Sequence, residues 1–289
     1  MRVAVLGASG VIGSALVERL RTEHDVVAIA RRARDEAGVE WVAADLSDER
    51  DAARALAGAD VAMHLVHSLG SGDYEQLDLR IADNVARAAA AAGTSQIIYL
   101  GGLGDDSPDL SNHLRSRRET GLALARGPVP VTTLRAGIVV GRGSAAFETI
   151  VALVDRLPAM LCPRWVSVPT QPIALEDMLA IISGVVGLEA AYGETFDVGG
   201  PEVMTYREMI DRIARIRGRR PLIVEVPVLT PRLSSWWLHL VTPVKASVAR
   251  PLIDGLRNPT VAREDRIREL VDVPATSFDD AVREALAER

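Results

Sequence analysis

Gly7, Gly10 and Gly13 stand at regular spacing in the run Gly7-Ala-Ser-Gly-Val-Ile-Gly13, close to the start of the chain. Before them, Val3 to Leu6 form a short aliphatic run that predicts a buried strand. After them, Ser14 to Leu20 continue at helical period. A strand, a glycine turn and a helix N-terminus together make an anion cradle, because free backbone N–H groups and the positive end of the helix dipole point at one spot. Here the amides near Ser9, Gly10, Val11 and Ile12 would hold a pyrophosphate, and Gly13 would let helix and strand pack closely. A glycine triplet placed directly after a first strand is a specific signal for a dinucleotide.

Four further groups extend that site along successive strand ends. Arg31, Arg32 and Arg34 follow the second predicted strand, where a guanidinium suits a 2′-phosphate and an acid would suit a 2′-hydroxyl. NADP(H) is therefore expected over NAD(H), with Arg31 and Arg32 as the phosphate ligands. Asp45-Leu46 follows the third strand, where a carboxylate can accept from an adenine amino group. His64-Leu65-Val66-His67 closes the fourth strand. His64, Leu65 and Val66 are expected on the cofactor, and His67 with Leu103 on the substrate. Gly101 and Gly102 end the fifth strand, where glycine lets a ligand approach the backbone.

The elements that must position these residues are legible in the periodicity. Strands are predicted at Val3–Leu6, Val26–Ala30, Val39–Ala43, Val61–Leu65, Gln96–Leu100 and Val131–Leu134, with helices near 11–21, 48–57, 74–92, 111–126 and 144–156. Ser47 is expected to cap the second helix and Gly93 to close the Ala-rich third. This alternation implies a parallel sheet with helices on both faces. After residue 143 the rhythm breaks at Pro158, Pro163, Pro169 and Pro172. A helix from Leu175 to Val186, a strand at Thr195–Val198, a helix at Thr205–Arg217 capped by Thr205 and a strand at Leu222–Val226 follow. Two regions are expected: a dinucleotide-binding domain over 1–143 with returns near 172–198, and a smaller substrate-binding and capping region over 144–289.

Composition narrows the function classes. With 289 residues, 48% of them hydrophobic, the chain can build a core without staples. A net charge of −6 and 4% aromatics argue against nucleic acid as partner. Cys162 is the single cysteine, so no internal disulfide and no cysteine metal site are expected, and no metal site is read elsewhere. No signal peptide and no stretch of spanning length are apparent, so a cytoplasmic location is expected. Trp236, Trp237, Leu238, Leu240 and Val241, with Arg232, His239, Lys245 and Arg250 nearby, allow segment 231–256 to lie on the inner membrane face, insert in a partner groove or cap the substrate site. A helix buried on its own domain is the default for that segment. Monomer and homodimer both remain open.

Taken together, GASGVIG at 7–13, YLGGLG at 99–104, HLRSRRE at 113–119, LRAGIVVGRGS at 134–144, QPIALEDM at 171–178 and ETFDVGGPE at 194–202 resemble the short-chain dehydrogenase/reductase superfamily. The similarity is to its atypical, extended branch: the NmrA-like group and bacterial relatives of a mitochondrial complex I accessory subunit. Segment 236–256 is similar to a C-terminal stretch of the latter. The resemblance implies a Rossmann-type doubly wound sheet carrying NAD(P). It also implies that Ala136, Gly137 and Ile138 lie beneath the nicotinamide and that Arg117 meets its ribose.

The chain departs from that superfamily at the chemistry. Where the family carries Tyr-x-x-x-Lys, His113 and Arg117 stand, and Gly102 occupies the place of the helper serine. His113 and Arg117 are four apart, so they share a helix face. Arg117 would lower the His113 pKa, leaving a neutral imidazole that donates one hydrogen bond. His113 is expected as an acid or as an orienting group. Arg142, Phe147 and Trp165 are expected to line a substrate pocket for a conjugated or quinone-like small molecule. The leading expectation is an atypical oxidoreductase that uses NADPH to reduce a carbonyl, quinone or activated alkene. The rival expectations are a non-catalytic NAD(P)-binding redox sensor or assembly factor, and an epimerase or dehydratase using bound cofactor.

Overall fold

The computed structural model describes residues 1–69, 71–104, 110–226, 255–273 and 275–287. The elements run β1 (Arg2–Leu6), α1 (Val11–Leu20), β2 (Asp25–Ala30), β3 (Glu40–Ala43), α2 (Glu49–Leu56), β4 (Val61–His64), α3 (Tyr74–Ala92), β5 (Gln96–Gly102), α4 (Asn112–Leu124) and β6 (Val131–Ala136). Then follow β7 (Val139–Val140), α5 (Ala145–Arg156), β8 (Ala159–Pro163), β9 (Pro169–Thr170), β10 (Ile173–Ala174), α6 (Leu175–Gly184) and β11 (Thr195–Val198). The chain closes with β12 (Met204–Thr205), α7 (Tyr206–Ile216), β13 (Leu222–Val226), α8 (Ile267–Leu270) and α9 (Phe278–Ala287).

Seven strands form one sheet in the order β11-β6-β5-β4-β1-β2-β3. Every pairing in it is parallel. Strand periodicity sorts the β1 side chains: Val3 and Val5 pack on one face with α1 and α6, Ala4 and Leu6 on the other with α2, α3 and α4. Leu6, Val3 and Val5 are fully buried, and each such side chain contributes about 1.5–3 kcal/mol of hydrophobic stabilisation. Helix α6 and strand β11 come late in the sequence yet complete the sheet and its first face. A third core joins α5, α7 and α9 around Phe147, Met209 and Val282.

Local signals explain several boundaries. Gly93 ends α3 in the left-handed region at φ 74°, donating to the Ala89 and Ala90 carbonyls. Thr205 and Glu208 form a reciprocal capping box that starts α7. At α2 the cap is Asp48, not the expected Ser47: the Asp48 carboxylate accepts from the Arg50 and Asp51 amides, while Ser47 turns its hydroxyl to Asp45. Cys162 is buried, and burial pushes its thiol up to about 11, which suits a packing residue. Among the described residues no helix is long and apolar enough to cross a membrane. The tryptophan-rich stretch from Trp236 to Val241, and all of segment 231–256 except Gly255 and Leu256, lie outside the described residues.

Candidate functional site

The glycine turn opens a cleft along the carboxyl ends of the parallel strands, where open α/β sheets bind ligands. Gly7 sits at φ 91°, a backbone conformation that a side chain would strain. At Gly13 a Cβ would come within 2.4 Å of the Gly7 carbonyl oxygen, so only glycine lets α1 press against the turn. The N-terminus of α1 is capped by no side chain, and its first turn holds no acid. Its amides are thus free to meet an anion. The cleft has a volume of about 930 Å³, at the upper end of the range for small-molecule and cofactor sites. The cradle that Cβ atoms would fill, and the uncapped amides behind it, fit a dinucleotide.

Most of the sequence-expected residues line this cleft. Ser9, Gly10, Val11 and Ile12 form its floor beside Gly7 and Gly13, with Arg31, Asp45 and Leu46 at one end. Leu65, Val66, Gly101, Gly102, Ala136, Gly137 and Ile138 form the middle, and His67, Leu103, His113 and Arg117 the other end. The Asp45 carboxylate accepts from the Ser47 hydroxyl at 2.7 Å and the Ser47 amide at 3.0 Å. Those bonds, with the Arg31 charge behind them, hold it below the usual carboxylate range.

The remaining expected residues stand elsewhere. Arg32 is exposed but does not line the cleft, because successive side chains of an extended turn diverge. Arg34 does not line the cleft either, but its guanidinium reaches back to the Ser9 carbonyl at 3.4 Å and lies over the Trp41 ring at 5.2 Å. His64 is buried below the sheet, not at its open edge. Register places it beside Leu6 and Tyr99, on the face covered by α2, α3 and α4. Phe147 is fully buried in the third core and points away from the cleft, while Ala145 and Ala146 of the same turn line it. Arg142 is exposed and does not line the cleft. Trp165 belongs to the 3-10 turn Arg164–Ser167, and its side chain is outside the described set.

The end of the cleft that holds His113 and Arg117 is built on α4, which Ser111 caps by accepting from the Leu114 amide at 3.3 Å. Arg117 is buried, donates to the Leu100 carbonyl and lies 5.2 Å over the Tyr99 ring. The Tyr99 hydroxyl donates to the Arg117 carbonyl at 2.7 Å, and burial holds its phenol above the usual range. Enclosure, then the Arg117 charge, lowers the His113 imidazole to about 4. The same two causes push His67 down. Its ring keeps contact with water along the cleft. The His67 and His113 ring centroids are 6.1 Å apart. A Cβ on Gly102 would meet Leu114 at 3.0 Å, so the glycine there makes room for α4.

Sequence reasoning allowed segment 231–256 to cap the site but named none of the residues that wall it. Gly255, Leu256 and Thr260 line the cleft, and a Cβ on Gly255 would stand 3.7 Å from His113. Asn258 accepts from the Ser111 amide at 3.0 Å, and the Thr260 and Thr170 hydroxyls bond at 2.7 Å. Tyr206 joins them in the cleft wall, its phenol bonded to both threonines and raised by burial. No periodic pattern marks these residues in the sequence; tertiary return alone brings them to the site.

Comparison with known proteins agrees with this geometry. Residues 7–125 match the family model described as NAD(P)H-binding. An uncharacterised protein of Mycobacterium tuberculosis is 39% identical over 102 residues, which are 34% of this chain and only 12% of that protein's length. The (4-alkanoyl-5-oxo-2,5-dihydrofuran-3-yl)methyl phosphate reductase of Streptomyces griseus is 25% identical over 287 residues, 96% of this chain and 95% of the other. Among solved structures, the NADPH-dependent quinone oxidoreductase of Escherichia coli, complexed with NADPH, superposes with a TM-score of 0.77 at 20% identity, covering 99% of this chain and 100% of that one. Residues 7–125 therefore match an NAD(P)H-binding segment in sequence, and they are built into a sheet of Rossmann type.

Proposed function

We propose that this protein reduces a small molecule at the expense of NADPH, with a carbonyl compound, quinone or activated alkene as hydride acceptor. One observation carries the reading: the glycine turn, a basic corner and an imidazole–guanidinium pair lie along a single cleft. A reduced nicotinamide bound there supplies the hydride. The chain supplies the rest. Amides around Ser9 to Gly13 hold the diphosphate, and Arg31 with Arg34 hold the 2′-phosphate. Asp45 accepts from the adenine end, Arg117 meets the ribose, and His113 donates a hydrogen bond to the acceptor oxygen.

Calorimetry with NADPH and NADH tests the cofactor. NADPH should bind at least ~10-fold tighter, and Arg31→Ala with Arg34→Ala should bring the two close to parity, since charge-assisted guanidinium–phosphate bonds are lost. NADPH consumption with a quinone and an enone tests the chemistry. His113→Phe should lower it by about 10²-fold. Equal affinity for the two coenzymes would overturn the preference. Tight binding with no turnover against any acceptor would instead favour a redox sensor or assembly factor, the second reading, which rests on His113 and Arg117 standing where the superfamily has tyrosine and lysine.

A further inference from the structure

Resting on the reductase reading, we propose that His67 and His113 form a paired-imidazole oxyanion site, and that the acceptor is therefore one whose reduced form is a delocalised oxyanion (a quinol or enolate), not a simple aldehyde or ketone. The two rings face the same end of the cleft, 6.1 Å apart between centroids and tilted by 44°. They come from different elements: His67 from the loop after β4, His113 from the first turn of α4. The Leu69 amide donates to His67 Nδ1 at 3.4 Å, which leaves the ring proton on Nε2. Both rings stand in the field of Arg117, whose guanidinium donates one N–H to the Leu100 carbonyl.

A neutral imidazole that surrendered its remaining proton would become an imidazolate beside a developing anion. The pair is therefore suited to donating hydrogen bonds and unsuited to giving up protons. The tyrosine hydroxyls nearby are already committed, Tyr99 to the Arg117 carbonyl and Tyr206 to Thr170 and Thr260. An isolated alkoxide needs a proton at once. A charge spread over a conjugated system needs only well-placed donors, and each such donor is worth about 10²–10³ in rate. The step balances as follows. The conjugated acceptor gains a hydride, with both its electrons, from the reduced nicotinamide dinucleotide, which is thereby oxidised. The π pair so displaced moves through the conjugation onto an oxygen held by the two ring N–H groups. Water reaching the exposed edge of His67 then protonates the released oxyanion.

Two measurements on the full chain test this. With NADPH, a quinone and an enone should turn over at least ~10²-fold faster than an aliphatic aldehyde and ketone. Comparable turnover of the aldehyde would overturn the substrate class while leaving the reductase reading intact. No turnover of any acceptor would sink both. The second readout needs no turnover: with NADP⁺ present, 4-nitrophenol should bind as the coloured phenolate in preference to the phenol. His67→Phe should weaken phenolate binding about tenfold and His67→Gln, which keeps an N–H donor, should restore part of it, NADP⁺ affinity being unchanged in both. Phenol and phenolate binding equally, or a phenolate affinity untouched in His67→Phe, would overturn the pair.

Discussion

His64 shows how a single side chain reports its surroundings. It is fully buried against Tyr99 with ring centroids 5.7 Å apart, and neither ring nitrogen has a hydrogen-bond partner among the described residues. Burial first, and the Arg117 charge second, lower it to about 3. The unfolded chain, with an ordinary histidine near 6.5, takes up that proton earlier. Stability is thus free of this penalty above pH 6.5 and falls as pH drops from 6.5 towards 3. His113, lowered to about 4, acts in the same sense. We expect His64→Leu to stabilise the fold by on the order of 1–3 kcal/mol, because two unsatisfied buried groups disappear. The gain should be larger at pH 5 than at pH 7 in urea melts. A variant less stable than the parent at both pH values would show that the ring nitrogens are paired after all.

At the scale of elements, the β1–turn–α1 unit has little freedom. A methyl at position 13 would also lie 2.9 Å from the Ala8 Cα, so the helix must lift off the turn to admit it. Gly13→Ala should cost about 1–3 kcal/mol in thermal melts, the usual penalty of overpacking. It should also weaken dinucleotide binding at least ~10-fold by calorimetry, because the first-turn amides move with the helix. A variant that keeps its affinity would mean that those amides do not hold the diphosphate.

Across the whole molecule, the buried carboxylate of Asp197 ties the C-terminal return to the sheet. Asp197 of β11 is almost wholly buried and accepts from Arg135 of β6 at 2.7 Å and from the Arg263 amide at 3.0 Å. Its own amide donates to Glu264 at 2.8 Å. This anchor sits only three residues beyond Thr260, which lines the cleft. Asp197→Asn should destabilise the protein by about 3 kcal/mol, since it leaves Arg135 uncompensated. Hydrogen exchange should rise first across 258–264. Uniform exchange across the chain would argue that the return is not an independent wall.

The order of strands and helices followed from the sequence alone, because apolar period two and period 3.6 are set by local geometry and each element buries one face. The glycine cradle and the shared face of His113 and Arg117 were legible for the same reason: their spacing lies within one turn or one helix. Tertiary structure decided what depends on register and return. Pairing of β4 with β1 and β5 put His64 under the sheet, packing of α5 turned Phe147 into the third core, and Arg34 folded back over Trp41 towards Ser9. The wall from Gly255 to Thr260 came from contacts about a hundred residues or more apart along the chain, which no local pattern encodes.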